Sequence, residues 1–376
     1  MAGIYIHVPF CVSRCGYCDF YKTTNFEDKG RYVNMLLKEI DLRVDYLSGE
    51  LIETIYFGGG TPSVLALSQF KAIFLSLNSK FVISKSVEIT VECNPDDVTY
   101  EFLLGLLNLG VNRLSIGIQS FDDNVLRFMQ RRHNGVQALD AIGIARKVGF
   151  ENISIDLIYG LPNLLISDWQ RNLEIALSLN VEHISAYHLT YEKNTVFDKL
   201  LKKGLIKEVD EDSSVQQFNM LLELLNVNGY EQYEVSNFCK NNKYSDHNSN
   251  YWLGVNYLGL GPSAHSYNGN TRSWNISDLN KYIKSINQDI LPLEKEQLSD
   301  SDKYNELIMV GLRTKWGVNL DTIKRVSSPT LLAHFEKLMN KHIHNGNIFI
   351  EKNRLFLTPD KKMISDNIIS DLFYVE

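Results

Sequence analysis

Between residues 4 and 189 short apolar runs alternate with longer amphipathic stretches, a pattern that predicts strands and helices in turn. Residues 4–8 (IYIHV) read as a strand that Pro9 ends, with a helix over about 28–46. Residues 51–57 (LIETIYF) form an apolar strand running into Gly58-Gly59-Gly60, and a helix starts near 68. Residues 86–92 (SVEITVE) alternate at period two and stop at Cys93-Asn94-Pro95, before a helix near 100–109. A strand at 113–118 precedes a helix over 135–148. Residues 152–158 (NISIDLI) form the fifth strand, and a capping box at Ser167 and Gln170 opens a helix to about 179. The sixth strand covers 183–189. Strands separated by helices imply βαβ units on a parallel sheet. Six consecutive units predict an α/β fold, as an incomplete barrel or a strongly curved open sheet.

Beyond residue 200 the pattern changes. A helix is expected over 212–228, then an aromatic, Asn-rich stretch over 230–267. From about 299 helical segments at 303–313 and 329–344 precede a two-strand wing (348–351 and 355–357) and a last helix over 359–372. This reads as an added C-terminal, mostly helical winged-helix-like domain. Its acidic surroundings favour a lid or docking role over DNA binding. The expected units are a core over 1–215, an extension over 216–298 and an accessory domain over 299–376.

Polar residues gather at one end of the six strands. Cysteines follow the first, Gly-Gly-Gly-Thr61 the second, and Glu92 closes the third. Gln119 follows the fourth, Asp156 lies near the end of the fifth, and Tyr187 and His188 near that of the sixth. In parallel α/β architectures this end forms the active-site face. Any one of these could be a cap or a surface group; agreement across six strands marks a site.

The cysteines define its chemistry. Cys11, Cys15 and Cys18 stand in the spacing C-x3-C-x2-C, which suits three irons of a [4Fe-4S] cubane with the fourth iron open. A disulfide with a spare thiol, a zinc site and uncommitted thiols are the alternatives; zinc would want a fourth ligand, for which His7 is poorly placed. The chain holds five cysteines, with Cys93 and Cys239 isolated, and neither a basic n-region nor an apolar h-region follows Met1. That is the pattern of a reducing compartment and points to the cytoplasm. A net charge of −7 argues against a general nucleic-acid or anionic-membrane binder, leaving a local basic patch at Arg127, Arg131, Arg132 and His133. No apolar run reaches bilayer length, so membrane contact is at most peripheral.

An open iron calls for a chelating ligand. S-adenosylmethionine offers an amino nitrogen and a carboxylate oxygen, and an electron from the reduced cluster cleaves its C–S bond to give a 5′-deoxyadenosyl radical. A reducing electron donor is then a necessary partner. Glycines after strand two let backbone approach a ligand, although βα turns use them too. Glu92 and Asp156 suit an ammonium or ribose hydroxyls. Gln119 and Arg131 suit the carboxylate and ribose, and Tyr17 could pack near the adenine. The plain alternative for each is a cap or salt bridge, and for Arg131 a solvated face.

Tyr5-Ile-His-Val-Pro-Phe-Cys11-x3-Cys15-Gly-Tyr-Cys18-Asp-Phe20, Gly58-Gly-Gly-Thr-Pro62, Glu92-x-Asn-Pro95, Ser115-Ile-Gly-Ile-Gln-Ser-Phe121 and Ile155-Asp-Leu-Ile-Tyr-Gly-Leu-Pro162 occur in order along the chain. Together they resemble the radical S-adenosylmethionine (radical SAM) enzymes of the oxygen-independent coproporphyrinogen III oxidase family. The resemblance implies a partial (β/α)6 radical SAM barrel with a C-terminal accessory domain. It also implies Cys11, Cys15 and Cys18 as cluster ligands. Tyr5, Tyr17, Gly59, Gly60, Thr61, Glu92, Gln119, Arg131 and Asp156 would then surround S-adenosylmethionine.

Two branches of that family differ in function. The oxidase has a further cysteine two residues after the third, where this chain has Phe20, and a long N-terminal segment, where only three residues precede Ile4. Tyr233-Glu-Val-Ser-Asn-Phe238 and His247-Asn-Ser-Asn-Tyr-Trp252 are instead similar to the HemW branch, whose members are described as heme chaperones. That branch implies binding of heme or porphyrin and transfer to a heme-acceptor protein, with His247, Tyr251 and Trp252 as heme contacts. An imidazole is a natural axial ligand, and Tyr and Trp pack on a porphyrin face. A hydrogen-bonded structural histidine in a loop is the other reading of His247, and His265 is a second candidate. The alternative function is oxidative decarboxylation of coproporphyrinogen III in porphyrin biosynthesis.

Overall fold

The computed structural model describes residues 1–375, apart from the side chains at 360, 362 and 363. The expected alternation is present: β1 (Ala2–Val8), α1 (Lys29–Leu42), β2 (Ile52–Gly59), α2 (Leu67–Lys80), β3 (Ile83–Cys93), α3 (Tyr100–Asn108) and β4 (Arg113–Gln119). A short α4 (Asp123–Phe128), which the pattern does not signal, precedes α5 (Gly135–Val148), β5 (Ile153–Tyr159), α6 (Ile166–Ser178) and β6 (His183–His188). These six strands lie side by side in chain order, each parallel to the last. Their helices cover the outer face, so strands such as β1 are buried nearly throughout, as parallel sheets require.

One helix start differs from expectation. Ser167 and Gln170 form no capping box; α6 begins at Ile166 with Leu165 before it, and Gln170 donates to Glu174 instead. Ser167 is already inside the first turn, where its hydroxyl is out of reach of the exposed N–H groups. A reciprocal box does form at Asn134 and Gln137, opening α5.

The chain continues through α7 (Val196–Lys202), α8 (Glu211–Val227), β7 (Glu231–Gln232), β8 (Asn237–Cys239), α9 (Asp246–Trp252), β9 (Asn256–Leu260), β10 (His265–Tyr267), β11 (Thr271–Asn275), α10 (Leu279–Asn287) and β12 (Leu293–Gln297). Here the aromatic, Asn-rich stretch is more ordered than its composition suggests. β9 runs parallel to β1 on the side away from β2, so a seventh parallel strand extends the six expected. β8 pairs antiparallel to β6 at the other side, with β7 beyond it. Among the described residues the sheet runs from β12 to β7 without closing, which makes the barrel partial.

A buried carboxylate pins this extension to the barrel. Glu39, on α1 and fully buried, accepts from the Gly261 N–H (2.8 Å), Asn275 Nδ2 (2.6 Å) and the Tyr282 hydroxyl (2.7 Å), with Arg43 at 3.9 Å.

The last segment builds a separate core around Tyr304, Ile308, Phe335 and Leu355. It comprises α11 (Asp300–Leu312), β13 (Val318–Asn319), α12 (Leu320–Val326), α13 (Pro329–His344), β14 (Ile348–Glu351), β15 (Arg354–Leu357) and α14 (Ser365–Asp371). The wing has three strands in the order β13-β15-β14, one more than expected, and the final helical stretch is divided into a 3-10 turn (Pro359–Ile364) and α14. The motif at Tyr233 joins this module to the barrel. The Lys315 N–H donates to the Tyr233 carbonyl (2.9 Å), and Trp316 packs on Tyr233 and Tyr244, both at 5.9 Å between ring centres. No helix among the described residues is long and apolar enough to cross a membrane.

Candidate functional site

The cysteine loop leaves the C-terminal end of β1 and folds back on itself. The Cys11 N–H donates to the Thr23 carbonyl (3.0 Å) and the Thr23 N–H to that of Pro9 (2.7 Å), which closes the loop. Gly16 anchors its middle, donating to Met129 and accepting from the Phe197 N–H. All three thiols are free and face one small cavity together with Tyr17, Gly60, Thr61, Asn94 and Arg131.

Donors converge on the sulfurs. Thr61 Oγ1 donates to Cys11 Sγ and Arg131 Nη1 to Cys15 Sγ, both at 3.4 Å. Lys22 Nζ donates to the Cys18 carbonyl (2.7 Å). Burial pushes the Cys11 thiol up, against the hydrogen bond from Thr61. A thiolate there therefore depends on positive charge beside it, as a bound metal would provide. Among the described residues no three His, Cys, Asp or Glu meet as ligands of a single ion would. A cubane puts each thiolate on its own iron, so this donor set fits a cluster better than one zinc ion.

The strand ends supply the rest. Gly59 has φ +102°, and a Cβ there would stand 2.6 Å from the His7 ring. At Gly60 a Cβ would press on the Val8 and Phe10 carbonyls at 2.8 Å. Only glycine lets β2 turn this tightly against the cysteine loop. Gln119 sits at a bulge in the β4–β5 register and has φ +67°, a strained position that turns its side chain toward Arg131.

Arg131 donates to Asn94 Oδ1 (2.8 Å) and the Gly117 carbonyl (2.6 Å), while its buried Nε has no partner. Burial works against its charge, but Tyr17 and Cys15 more than compensate and hold it cationic. An unpaired donor beside the thiols is available to an anionic ligand group. Asn94 also donates to Thr61 Oγ1 (3.4 Å), so it braces both the cluster loop and Arg131. The motif Glu92-x-Asn-Pro95 alone carries no signal of this bracing role for Asn94.

Glu92 on β3 and Asp156 on β5 flank β4, and the Asp156 carboxylate is close enough to disfavour the ionisation of Glu92. Glu92 accepts from the Tyr56 hydroxyl (2.8 Å), yet burial pushes its carboxyl up to about 7, with Asp156 adding to the effect. Burial lifts Asp156 to about 6 against hydrogen bonds from Ser185 and Ser115. Both are poised to ionise fully when a cation arrives. Arg113, buried at the start of β4, moderates both carboxylates and had no assigned role in the sequence.

A second cavity, of about 1590 Å³, opens between the barrel and the C-terminal module. Tyr5, Phe20, Tyr187, Tyr251, Trp252 and His265 line it from the barrel side, and Lys303, Arg313 and Arg354 from the module. Tyr5 stacks against both Tyr56 and His247, at 6.2 and 6.3 Å between ring centres, and those two rings stack on each other at 5.1 Å.

His247 lies in helix α9, not in a loop. Glu88 accepts the Asp246 and His247 N–H groups (3.2 and 3.1 Å) and so caps that helix from inside the barrel. The His247 ring is buried, with Nδ1 on Thr54 Oγ1 (2.8 Å) and Nε2 on the Tyr251 hydroxyl (2.9 Å). Burial lowers its pKa to about 3, so it is neutral. Tyr251 and Trp252 face the large cavity; His247 stands behind them.

Residues 5–176 match the Radical SAM superfamily and residues 298–360 the HemN C-terminal domain. The chain is 33% identical over 371 residues to the heme chaperone HemW of Bacillus subtilis (strain 168), covering 98% of each chain. It is 32% identical to that of Lactococcus lactis subsp. lactis (strain IL1403), covering 97% of this chain and 95% of the relative. The structure of the Escherichia coli coproporphyrinogen III oxidase HemN, a radical SAM enzyme, superposes with a TM-score of 0.86 at 22% identity, over 99% of this chain and 90% of that one.

Proposed function

Because the chain belongs to the HemW family of radical SAM proteins, we propose that it binds heme and passes it to an acceptor protein, with a [4Fe-4S] cluster and S-adenosylmethionine held beside the heme site. The observation that carries this reading is the cavity of about 1590 Å³ onto which Tyr251 and Trp252 project. Flat aromatic side chains are natural faces for a porphyrin. His247 fixes the Tyr251 hydroxyl at 2.9 Å and so sets the angle of that ring. The five free cysteines suit a reducing compartment, and the protein would act in the cytoplasm.

Cys11, Cys15 and Cys18 would hold the cluster, which when bound supplies the electron that cleaves S-adenosylmethionine. Arg131, with Gln119, would orient the carboxylate, and Glu92 would receive the ammonium. Asp156 would take ribose hydroxyls, while Tyr5, Tyr17, Gly59, Gly60 and Thr61 complete the walls. An external reductant would serve the cluster.

The carboxyl of Glu92 gives a pH dependence. In the free protein its pKa is raised from 4.5 to about 7. The protonated form is therefore the one that folding favours, and that contribution is lost as pH rises through about 7. A bound ammonium needs the ionised form. Affinity for S-adenosylmethionine should accordingly increase as pH is raised through about 7, and Glu92→Gln should flatten the profile as well as weaken binding. Equilibrium dialysis of the cluster-loaded protein across that range checks both, and an unchanged profile in the variant removes Glu92 from the role.

The second reading is coproporphyrinogen III oxidation, favoured by the oxidase fold alone. Against it, Phe20 projects into the large cavity, 65% exposed, where the oxidase pattern has a cysteine. One anaerobic sample of reconstituted protein separates the two. Saturable hemin binding with no protoporphyrinogen formed from coproporphyrinogen III is expected; turnover to protoporphyrinogen overturns the chaperone-only reading.

A further inference from the structure

We propose that His265, on the strand that borders the large cavity, is the axial ligand through which this protein holds heme iron, and that Arg272 beside it receives a heme carboxylate. The inference rests on the heme reading above and names the group in that cavity that binds the metal.

Candidate ligands can be sorted by what their donor atoms already do. Three histidines line the cavity: His7, His188 and His265. His7 has Nδ1 on the Tyr5 hydroxyl (3.3 Å) and Nε2 on the Tyr21 carbonyl (2.9 Å). His188 has Nδ1 on the Leu189 carbonyl (2.9 Å) and Nε2 on Ser214 Oγ (2.8 Å). His247 lies behind the lining with both nitrogens engaged. Recruiting any of these would break a short hydrogen bond and strand a polar partner, at a cost comparable to the bond itself. His265 has no hydrogen-bond partner on either nitrogen among the described residues, and its ring is exposed to the cavity.

Other donors compete poorly. No cysteine or methionine lines the cavity among the described residues. Tyrosine would have to lose its proton, and burial pushes Tyr159 up and Tyr257 to about 12. The His265 ring is also positioned rather than loose. It stacks on Trp274 of the neighbouring strand at 5.8 Å and 27°, a support that limits its rotation.

The surroundings suit the rest of a heme. Arg272 lies over the Tyr267 ring at 5.6 Å, gives Nη2 to Glu306 at 3.0 Å, and keeps a buried Nε without a partner. A propionate could take that donor from the fixed guanidinium fork. Tyr267 and Tyr257 of the same sheet, 6.2 Å apart, add aromatic surface beside the ring.

The test is a hemin titration of the cluster-loaded protein, read as a difference spectrum and by low-temperature electron paramagnetic resonance of the ferric iron. Wild type should give a saturable shift with an imidazole-ligated signature. His265→Ala should lose that signature and bind at least tenfold more weakly, and added imidazole should restore it; the residue is exposed, so the variant should fold. His247→Ala should keep the nitrogen-ligated signature. Wild-type binding that persists with an unchanged signature in His265→Ala overturns the ligand assignment alone. A wild type that shows no saturable shift overturns the heme reading, and the assignment with it.

Discussion

Cys15→Ala should abolish stable assembly of the iron–sulfur cluster. After anaerobic reconstitution with iron and sulfide, its bound iron should fall toward background and the visible charge-transfer band should vanish, while far-UV circular dichroism stays close to wild type. Three thiolates on one short loop are the whole protein ligand set expected of an open-site cubane. Losing one leaves two irons open, and neither Thr61 nor Asn94 is a soft donor that could replace it. The loss should exceed the roughly 10–100-fold that removal of an outer partner costs a metal site. Fold should survive because the loop is pinned elsewhere, by the Cys11–Thr23 and Gly16–Met129 backbone bonds. Arg131 still has Asn94 and Gly117 once Cys15 Sγ is gone. Iron analysis of the purified variant decides the matter. Wild-type iron content would mean that the thiols at 11 and 18 suffice and that the cluster reading of this loop is wrong.

How much of this was legible in the sequence depends on how local each feature is. The cysteines, the glycine run and Glu92 each sit inside a contiguous motif at a strand end, and parallel topology alone brings such ends together. The structure gathers the thiols, Tyr17, Gly60, Thr61 and Arg131 around one small cavity accordingly. Interactions across long chain separations were not legible. His247 depends on Thr54, 193 residues away, and its helix on Glu88, 159 residues away. No periodicity could indicate either pairing, and His247 read equally well as a loop residue. β9 escaped notice because five residues of mixed polarity inside an Asn-rich stretch carry little strand signal. The capping box expected at Ser167 shows the reverse failure: the residue types suit a box, but the helix began two positions earlier, with Leu165 in the cap position. The C-terminal wing gained its third strand from Val318–Asn319, two residues too short to be seen in a pattern of period two.

Glu39→Ala should be among the most destabilising single substitutions in the barrel, by about 3–5 kcal/mol, the range for removing one partner of a buried charged network. The residue is fully buried and accepts three short hydrogen bonds from groups of the β9–α10 block, with Arg43 also at 3.9 Å. Alanine leaves the Asn275 amide, the Tyr282 hydroxyl and the Gly261 N–H without an acceptor, each at about 1–3 kcal/mol if nothing replaces it. It also leaves Arg43 as a buried cation that burial already drives toward its neutral form. Glu39→Gln keeps one acceptor oxygen and the volume, so it should cost clearly less, and the difference between the two variants isolates the polar network from the packing. Urea unfolding followed by circular dichroism checks this, with the midpoint expected to fall in the order wild type, Gln, Ala. Equal midpoints for the two variants would show that shape, not hydrogen bonding, holds the block. The consequence reaches the proposed heme site, because the strands anchored by Glu39 are those that carry His265 and Trp274. A loosened block should therefore broaden the hemin titration of Glu39→Gln before it abolishes the fold, whereas the cluster loop, held from β1 and β2, should still assemble its iron.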